Sequence, residues 1–249
     1  MHSSRRHRTV RSRAGGHDVV ATRAGTPGAP AYVLVHGIGV SGRYFGPLTD
    51  ELAEVGDVLV PDLPGFGRSA RPREVLSIAA HARVVAALVA EHGLVAPVVV
   101  GHSMGCQIVA ELLAVHPGTA ARGVLVGPVT NTRERTAVRQ GMRLLQDGAH
   151  EPMRVNAMIT ADYVRCGPRR YAATLPHMLD YPLAERLGDA TAPVVLVRGE
   201  NDPIAPRYWL DELAAAAPTV GVAEVPDSGH VAMYTEPAVV ADLCRGVTC

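Results

Sequence analysis

Residues Val98–Leu113 read VVVGHSMGCQIVAELL. Three valines run directly into Gly101-His102-Ser103-Met104-Gly105, and an apolar stretch follows that stops at Pro117. A G-x-S-x-G pattern is weak by itself. Between a buried strand and a buried helix it specifies a geometry: the glycines let the strand turn sharply into the helix, and the serine takes the strained corner. Its hydroxyl then stands above the sheet edge, at the positive end of the helix. A free serine hydroxyl is a poor nucleophile, so this reading requires a base and an orienting acid elsewhere in the chain.

Working outward, "RTVRSRAGGHDVVATRAG", Arg8 to Gly25, alternates partially around Gly15-Gly16 and predicts an antiparallel hairpin. Strand-like runs follow at Tyr32–Val35, Val58–Val60, Val98–Val100, Gly123–Val126, Val194–Val197 and Gly221–Val225. Helical patterns separate them, one capped by Ser77 and ending at Gly93, another from Met104 to His116. The alternation predicts an α/β fold: a mostly parallel eight-stranded sheet with helices on both faces. It breaks between Pro128 and Ala192, where Met142, Leu144, Leu145, Met153, Met158, Ile159, Tyr163, Tyr171 and Met178 recur at irregular helical spacing. That length predicts a helical cap, residues 128–192, inserted into a core formed by residues 1–127 and 193–249.

The required acid and base follow the serine in order. "VVLVRGENDPIAP" leaves a late strand at Asp202, and "AEVPDSGHVAMYTEP" leaves the last strand at His230. Both lie past strand C-termini, on the sheet edge where loops converge. The other histidines fall on helices, in the cap, in the N-terminal arm or beside glycines. Asp227 is the nearest rival acid, but three residues from His230 it is better suited to capping the turn.

Composition narrows the partners. The 24 basic and 24 acidic residues cancel, which argues against nucleic acid and anionic membrane and for a small, uncharged, apolar molecule. All 24 basic residues are arginine, so lysine chemistry is excluded. Cys106, Cys166, Cys244 and Cys249 match neither a zinc spacing nor a disulfide framework, which predicts free thiols in a reducing cytoplasm and no metal. Arg5, Arg6, Arg8, Arg11 and Arg13 precede no apolar core, so the start of the chain reads as an arm leading into an edge strand, not a secretory signal.

One competing motif remains. "YVLVHGIGVSG", Tyr32 to Gly42, contains G-x-G-x-x-G after a strand, and Asp62 lies 20 residues beyond, about where a ribose-binding acid would stand in a dinucleotide site. Such a site needs a helix opening within the glycines to meet the pyrophosphate. Pro47 delays any regular helix past Gly42, so no nucleotide cofactor is expected.

Five segments in order, "HGIG" (His36–Gly39), "DLPGFGRS" (Asp62–Ser69), "GHSMG" (Gly101–Gly105), "GENDPIAP" (Gly199–Pro206) and "SGHVAMYTEP" (Ser228–Pro237), resemble the α/β-hydrolase superfamily from Thr9 to Cys244. The resemblance implies a Ser103–His230–Asp202 triad, an oxyanion hole from the backbone N–H groups of Ile38 and Met104, and no cofactor. Residues expected against the substrate are His36, Gly37, Gly39, His102, Met158 and Val231. Ser103 argues against the aspartate-nucleophile dehalogenases and epoxide hydrolases, and the lack of lysine against hydroxynitrile lyases. Carbon–carbon hydrolases often carry Asn before the serine and Trp after the histidine, where this chain has His102 and Val231. The leading expectation is a carboxylic-ester hydrolase. Cofactor-free perhydrolases, carbon–carbon hydrolases and a triad-bearing small-molecule sensor stay open.

Overall fold

A computed structural model describes residues 7–149, 151–217 and 220–246. Arg5, Arg6, His150 and Cys249 lie outside them. The expected hairpin is β1 (Arg8–Ala14) against β2 (His17–Gly25), turning at Gly15 and Gly16, whose φ values of 56° and 83° suit a two-residue turn between twisted strands. The other strands are β3 (Ala31–Val35), β4 (Asp57–Asp62), β5 (Val98–His102), β6 (Arg122–Val126), β7 (Val194–Gly199) and β8 (Val220–Val225). They form one eight-stranded sheet in the order β1-β2-β4-β3-β5-β6-β7-β8, antiparallel only at β1–β2 and β2–β4.

Successive side chains on a strand point to opposite faces, and here each face has its own apolar layer. Val33, Val35, Val99, Leu125 and Leu196 pack with α2 (Ile78–Glu91), α3 (Met104–Val115) and the later helix Arg207–Ala216. Tyr32, Leu34, Val100, Val124 and Val197 pack with α1 (Gly46–Leu52) and the C-terminal helix Pro237–Arg245. Ser77 caps α2 as expected, its hydroxyl accepting the Ala80 N–H at 3.2 Å. Burial of α3 from Met104 to Leu113 on every face explains why its sequence is apolar nearly all round.

Among the described residues no strand lies between β6 and β7. Four helices fill the interval: α4 (Ala137–Gly148), α5 (Met153–Cys166), α6 (Pro168–Leu179) and α7 (Leu183–Gly188). Leu183 and Leu187 of α7 join the layer of α3 and α8 (Arg207–Ala216), whereas α4, α5 and α6 lie over the C-terminal edge of the sheet. Two further helices, α9 (Ala232–Thr235) and α10 (Pro237–Arg245), close the chain. Strand register sets what meets at that edge. Val35 pairs with Gly101, His102 with Val126, and Val126 with Val197, so the loops after β3, β5, β6 and β7 emerge together. No helix among the described residues is long and apolar enough to cross a membrane.

Candidate active site

Ser103 occupies the corner between β5 and α3 with φ 56° and ψ −123°. A non-glycine residue there is strained by about 1–3 kcal/mol, and neighbouring structure holds it: its N–H donates to Val126 O at 3.1 Å and its carbonyl accepts the Cys106 N–H at 2.9 Å. Both glycines of the motif are steric necessities. A Cβ at Gly105 would lie 2.1 Å from Val35 O, and one at Gly101 would lie 2.4 Å from Gly105 O. Cys106 is fully buried and its Sγ–H faces Gly101 O and Val126 O; burial raises its pKa well above the ordinary thiol value, so it packs as an inert side chain.

Asp202 and His230 hydrogen-bond to each other, and His230 lines the same cavity as Ser103. His230 Nδ1–H donates to Asp202 Oδ2 at 2.8 Å, while Asp202 Oδ1 accepts the N–H groups of Ile204 at 2.8 Å and Ala205 at 3.1 Å. Burial works against charge on both residues. For Asp202, the charge and hydrogen bond of His230 with the two backbone donors overcome burial and leave its pKa below the usual carboxylate value. For His230, burial is likewise outweighed by the Asp202 charge and hydrogen bond, with Asp147 and Glu151 adding, and its pKa is raised to about 9. Asp227 sits exposed in a left-handed turn at φ 52°, its N–H donated to Glu200 Oε2 at 3.1 Å.

The glycine loop after β3 lies against the serine: a Cβ on Gly37 would stand 2.9 Å from Ser103 Cβ. Ile38 lines the same cavity as Ser103, and Met104 opens α3, whose first-turn N–H groups lack partners within the helix. Asp62 is spent bracing the loop. Its Oδ1 accepts the Gly42 N–H at 2.9 Å and its Oδ2 accepts the Arg68 N–H at 2.9 Å and Nε–H at 2.7 Å. After Gly42 comes only a 3₁₀ turn, Gly42–Phe45, before α1. Pro47 therefore sits in the first turn of α1, a position that suits proline, rather than holding the helix back.

A cavity of about 130 Å³ opens above Ser103 and His230. Its walls are mostly apolar: Ile38, Val129, Ile204 and Val231 from the sheet side, Leu144, Ile159, Leu175 and Met178 from α4, α5 and α6. Gly37, His102 and Val231 line it as expected. Three other expected residues do not. His36 is buried beneath the loop, its Nδ1–H given to Gly37 O and its Nε2 taken by the Leu63 N–H, both at 2.8 Å, and burial lowers its pKa. Gly39 is packed under the rings of Tyr163 and Tyr171. Met158 is turned aside by one helical step, its carbonyl accepting Arg43 at 2.7 Å, so Ile159 and Tyr163 face the cavity instead.

Several residues at the site carry no sequence motif. Tyr44 Oη accepts the Gly37 N–H at 3.0 Å and donates to His102 Nδ1 at 2.7 Å, while His102 Nε2–H donates to the His230 carbonyl at 3.0 Å. A carbonyl can only accept, which fixes the tautomer; burial and the neighbouring His230 hold the His102 pKa well below its ordinary value, so the ring is neutral. Asp162 of α5 accepts the Ser41 N–H at 3.0 Å and hydroxyl at 2.7 Å and pairs with Arg43 at 2.8 Å, tying the covering helices to the glycine loop. Asp147 shares the cavity-facing stripe Gln140–Leu144–Asp147, at three- and four-residue spacing. A carboxylate on that stripe was the available signal. Among the described residues no three His, Cys, Asp or Glu side chains converge to hold a metal ion.

The sequence model of the alpha/beta hydrolase family matches residues 32–243. The chain is 26% identical over 254 residues to a pimeloyl-[acyl-carrier protein] methyl ester esterase of Aromatoleum aromaticum, covering 87% of this chain and 99% of that one. It is 32% identical over 234 residues to the lipase LipV of Mycobacterium tuberculosis, covering 87% and 79%. An esterase from Exiguobacterium antarcticum superposes with a TM-score of 0.84 at 16% identity, over 96% of this chain and 98% of that one.

Proposed function

The chain belongs to the alpha/beta hydrolase family, and from that premise we propose that it is a serine hydrolase cleaving a carboxylic ester or related acyl compound through an acyl-enzyme on Ser103. The observation that carries this reading is the serine held at a positive-φ corner in one cavity with a histidine hydrogen-bonded to a buried aspartate. With Nδ1–H engaged by Asp202, the neutral ring presents Nε2 as the basic atom. His230 takes the Ser103 proton as Oγ attacks the acyl carbon, and Asp202 stabilises the imidazolium. The carbonyl oxygen becomes an oxyanion held by the N–H groups of Ile38 and Met104. Collapse breaks the bond to the leaving alkoxide, which takes the proton from His230; water then attacks the acyl-enzyme by the same route and frees the acid.

The substrate we propose is uncharged, with a small to medium apolar acyl group, supported by the aliphatic walls and the modest cavity volume. Residues 128–192 are proposed as the covering unit on the core of residues 1–127 and 193–249, supported by the wall residues of α4, α5 and α6. The test is covalent labelling by a fluorophosphonate together with turnover of p-nitrophenyl esters of increasing chain length. Ser103→Ala is expected to abolish both while leaving the melting temperature unchanged within a few degrees. Labelling that persists in Ser103→Ala refutes the nucleophile, and a preference for charged acyl groups refutes the substrate class.

A further inference from the structure

Two carboxylates from the covering segment grip the backbone of the loop that carries His230. Asp147, in the last turn of α4, accepts the His230 N–H through Oδ1 at 2.8 Å, and Glu151, just beyond that helix, accepts the Val231 N–H through Oε1 at 3.0 Å. Both side chains are buried. The approach is so close that a Cβ on Gly229 would lie 2.4 Å from Glu151 Oε1 and 3.0 Å from Asp147 Oδ1. Glycine before His230 is what leaves room for the pair.

Neutral acceptors would also satisfy two backbone N–H groups, though less strongly. Withdrawing two neighbouring carboxylates from water is costly, and a positive charge nearby lowers that cost. Among the described residues, the groups facing His230 are Asp202 from the loop after β7, Asp147 and Glu151 from the covering segment, and the neutral ring of His102, whose centroid lies 4.6 Å from that of His230. His230 becomes a cation in the step where it accepts the serine proton, and the charges of Asp147 and Glu151 favour that form.

We propose that Asp147 and Glu151 are positioning residues for His230, setting its ring against Asp202 through the loop backbone and favouring, by their charge, the imidazolium formed during catalysis. The proposal rests on the serine-hydrolase reading for its catalytic consequence. Burial, with the charge of Asp147, raises the Glu151 carboxyl to about 7, so the negative charge facing His230 grows through neutral pH. Because the pair rides on the segment that walls the cavity, the grip exists only while that segment lies over the site.

The experiment is a titration of the His230 ring by NMR in wild type, Asp147→Asn and Glu151→Gln, with pH profiles of kcat/KM for p-nitrophenyl butyrate on the same samples. Both variants keep an oxygen to accept the backbone N–H and remove the negative charge. Each is expected to lower the His230 titration midpoint by about one pH unit, to move the acid limb of kcat/KM with it, and to reduce kcat about threefold to tenfold with little change in KM. Asp147→Ala, which loses acceptor and charge, should lose more kcat, and restoring the acceptor as Asn should recover part of the rate but not the acid limb. A His230 midpoint and acid limb in both isosteric variants that coincide with wild type overturn the proposal. Should Asp147→Asn not fold, Glu151→Gln decides alone. Fluorophosphonate labelling of the wild type is read separately: without it the hydrolase reading falls, while the ring titration still decides whether the acid pair governs His230.

Discussion

Replacing Tyr44 by Phe removes one oxygen from the interior and leaves two buried groups without a partner. Tyr44 is 1% exposed, and its hydroxyl is the acceptor for the Gly37 N–H and the donor to His102 Nδ1. Each group left unsatisfied costs about 1–3 kcal/mol. The cost of burying the phenol O–H itself is recovered in part, so the net loss is about 3 kcal/mol, or roughly 6–12 °C in melting temperature for a chain of this length. The same change frees the loop beside Ser103, because Gly37 is held on one side by Tyr44 and on the other by contact with the serine. Displacement of the neighbouring Ile38 N–H should lower kcat about tenfold, short of the 10²–10³ expected for complete loss of an oxyanion donor. Burial holds the Tyr44 pKa well above its ordinary value, so the hydroxyl keeps its proton and both effects should be equal at pH 6 and pH 9. Thermal unfolding by circular dichroism and steady-state turnover of p-nitrophenyl butyrate provide the measurements. A Tyr44→Phe variant that melts within 2 °C of wild type and turns over normally would refute the bridging role, 2 °C being at most the effect of about 1 kcal/mol.

Asp202→Asn preserves shape but favours the wrong His230 tautomer, and kcat should fall by about 10⁴; a rate near wild type in stopped assays would place the orienting acid elsewhere. His230 is raised above its ordinary 6.5 to about 9, so kcat/KM, which needs the neutral ring, should climb from pH 6.5 toward 9. The stability that the charged ring contributes is fully present below pH 6.5 and is lost as pH rises through about 9, so urea midpoints should fall over the window in which activity rises. A flat activity profile above pH 7 contradicts this. Ile38→Pro deletes a backbone donor and should lower kcat about 10²–10³-fold with KM less affected, whereas normal turnover with the fold intact would exclude the glycine loop from oxyanion binding.

Features that depend on short-range backbone rules are legible along the chain. Alternating strand and helix patterns located the sheet, Gly15-Gly16 marked the hairpin turn, and G-x-S-x-G between a strand and a helix identified the strained corner at Ser103. Asp202 and His230, which hydrogen-bond to each other in the fold, could be singled out because chain order and strand-end position are also local properties. Which groups close the network around them depends on long-range packing. Tyr44 reaches His102 across 58 residues, Glu151 reaches Val231 across 80, Asp147 reaches His230 across 83 and Asp162 reaches Ser41 across 121. No periodicity encodes such pairs, since they depend on how separate elements come to rest over one sheet edge. A single helical step made the difference between Met158 and Ile159 at the cavity wall, and His36 turned inward because the Leu63 N–H and Gly37 carbonyl claimed both ring nitrogens. Those outcomes follow from the competition of buried polar groups for partners, which exists only once the chain is folded.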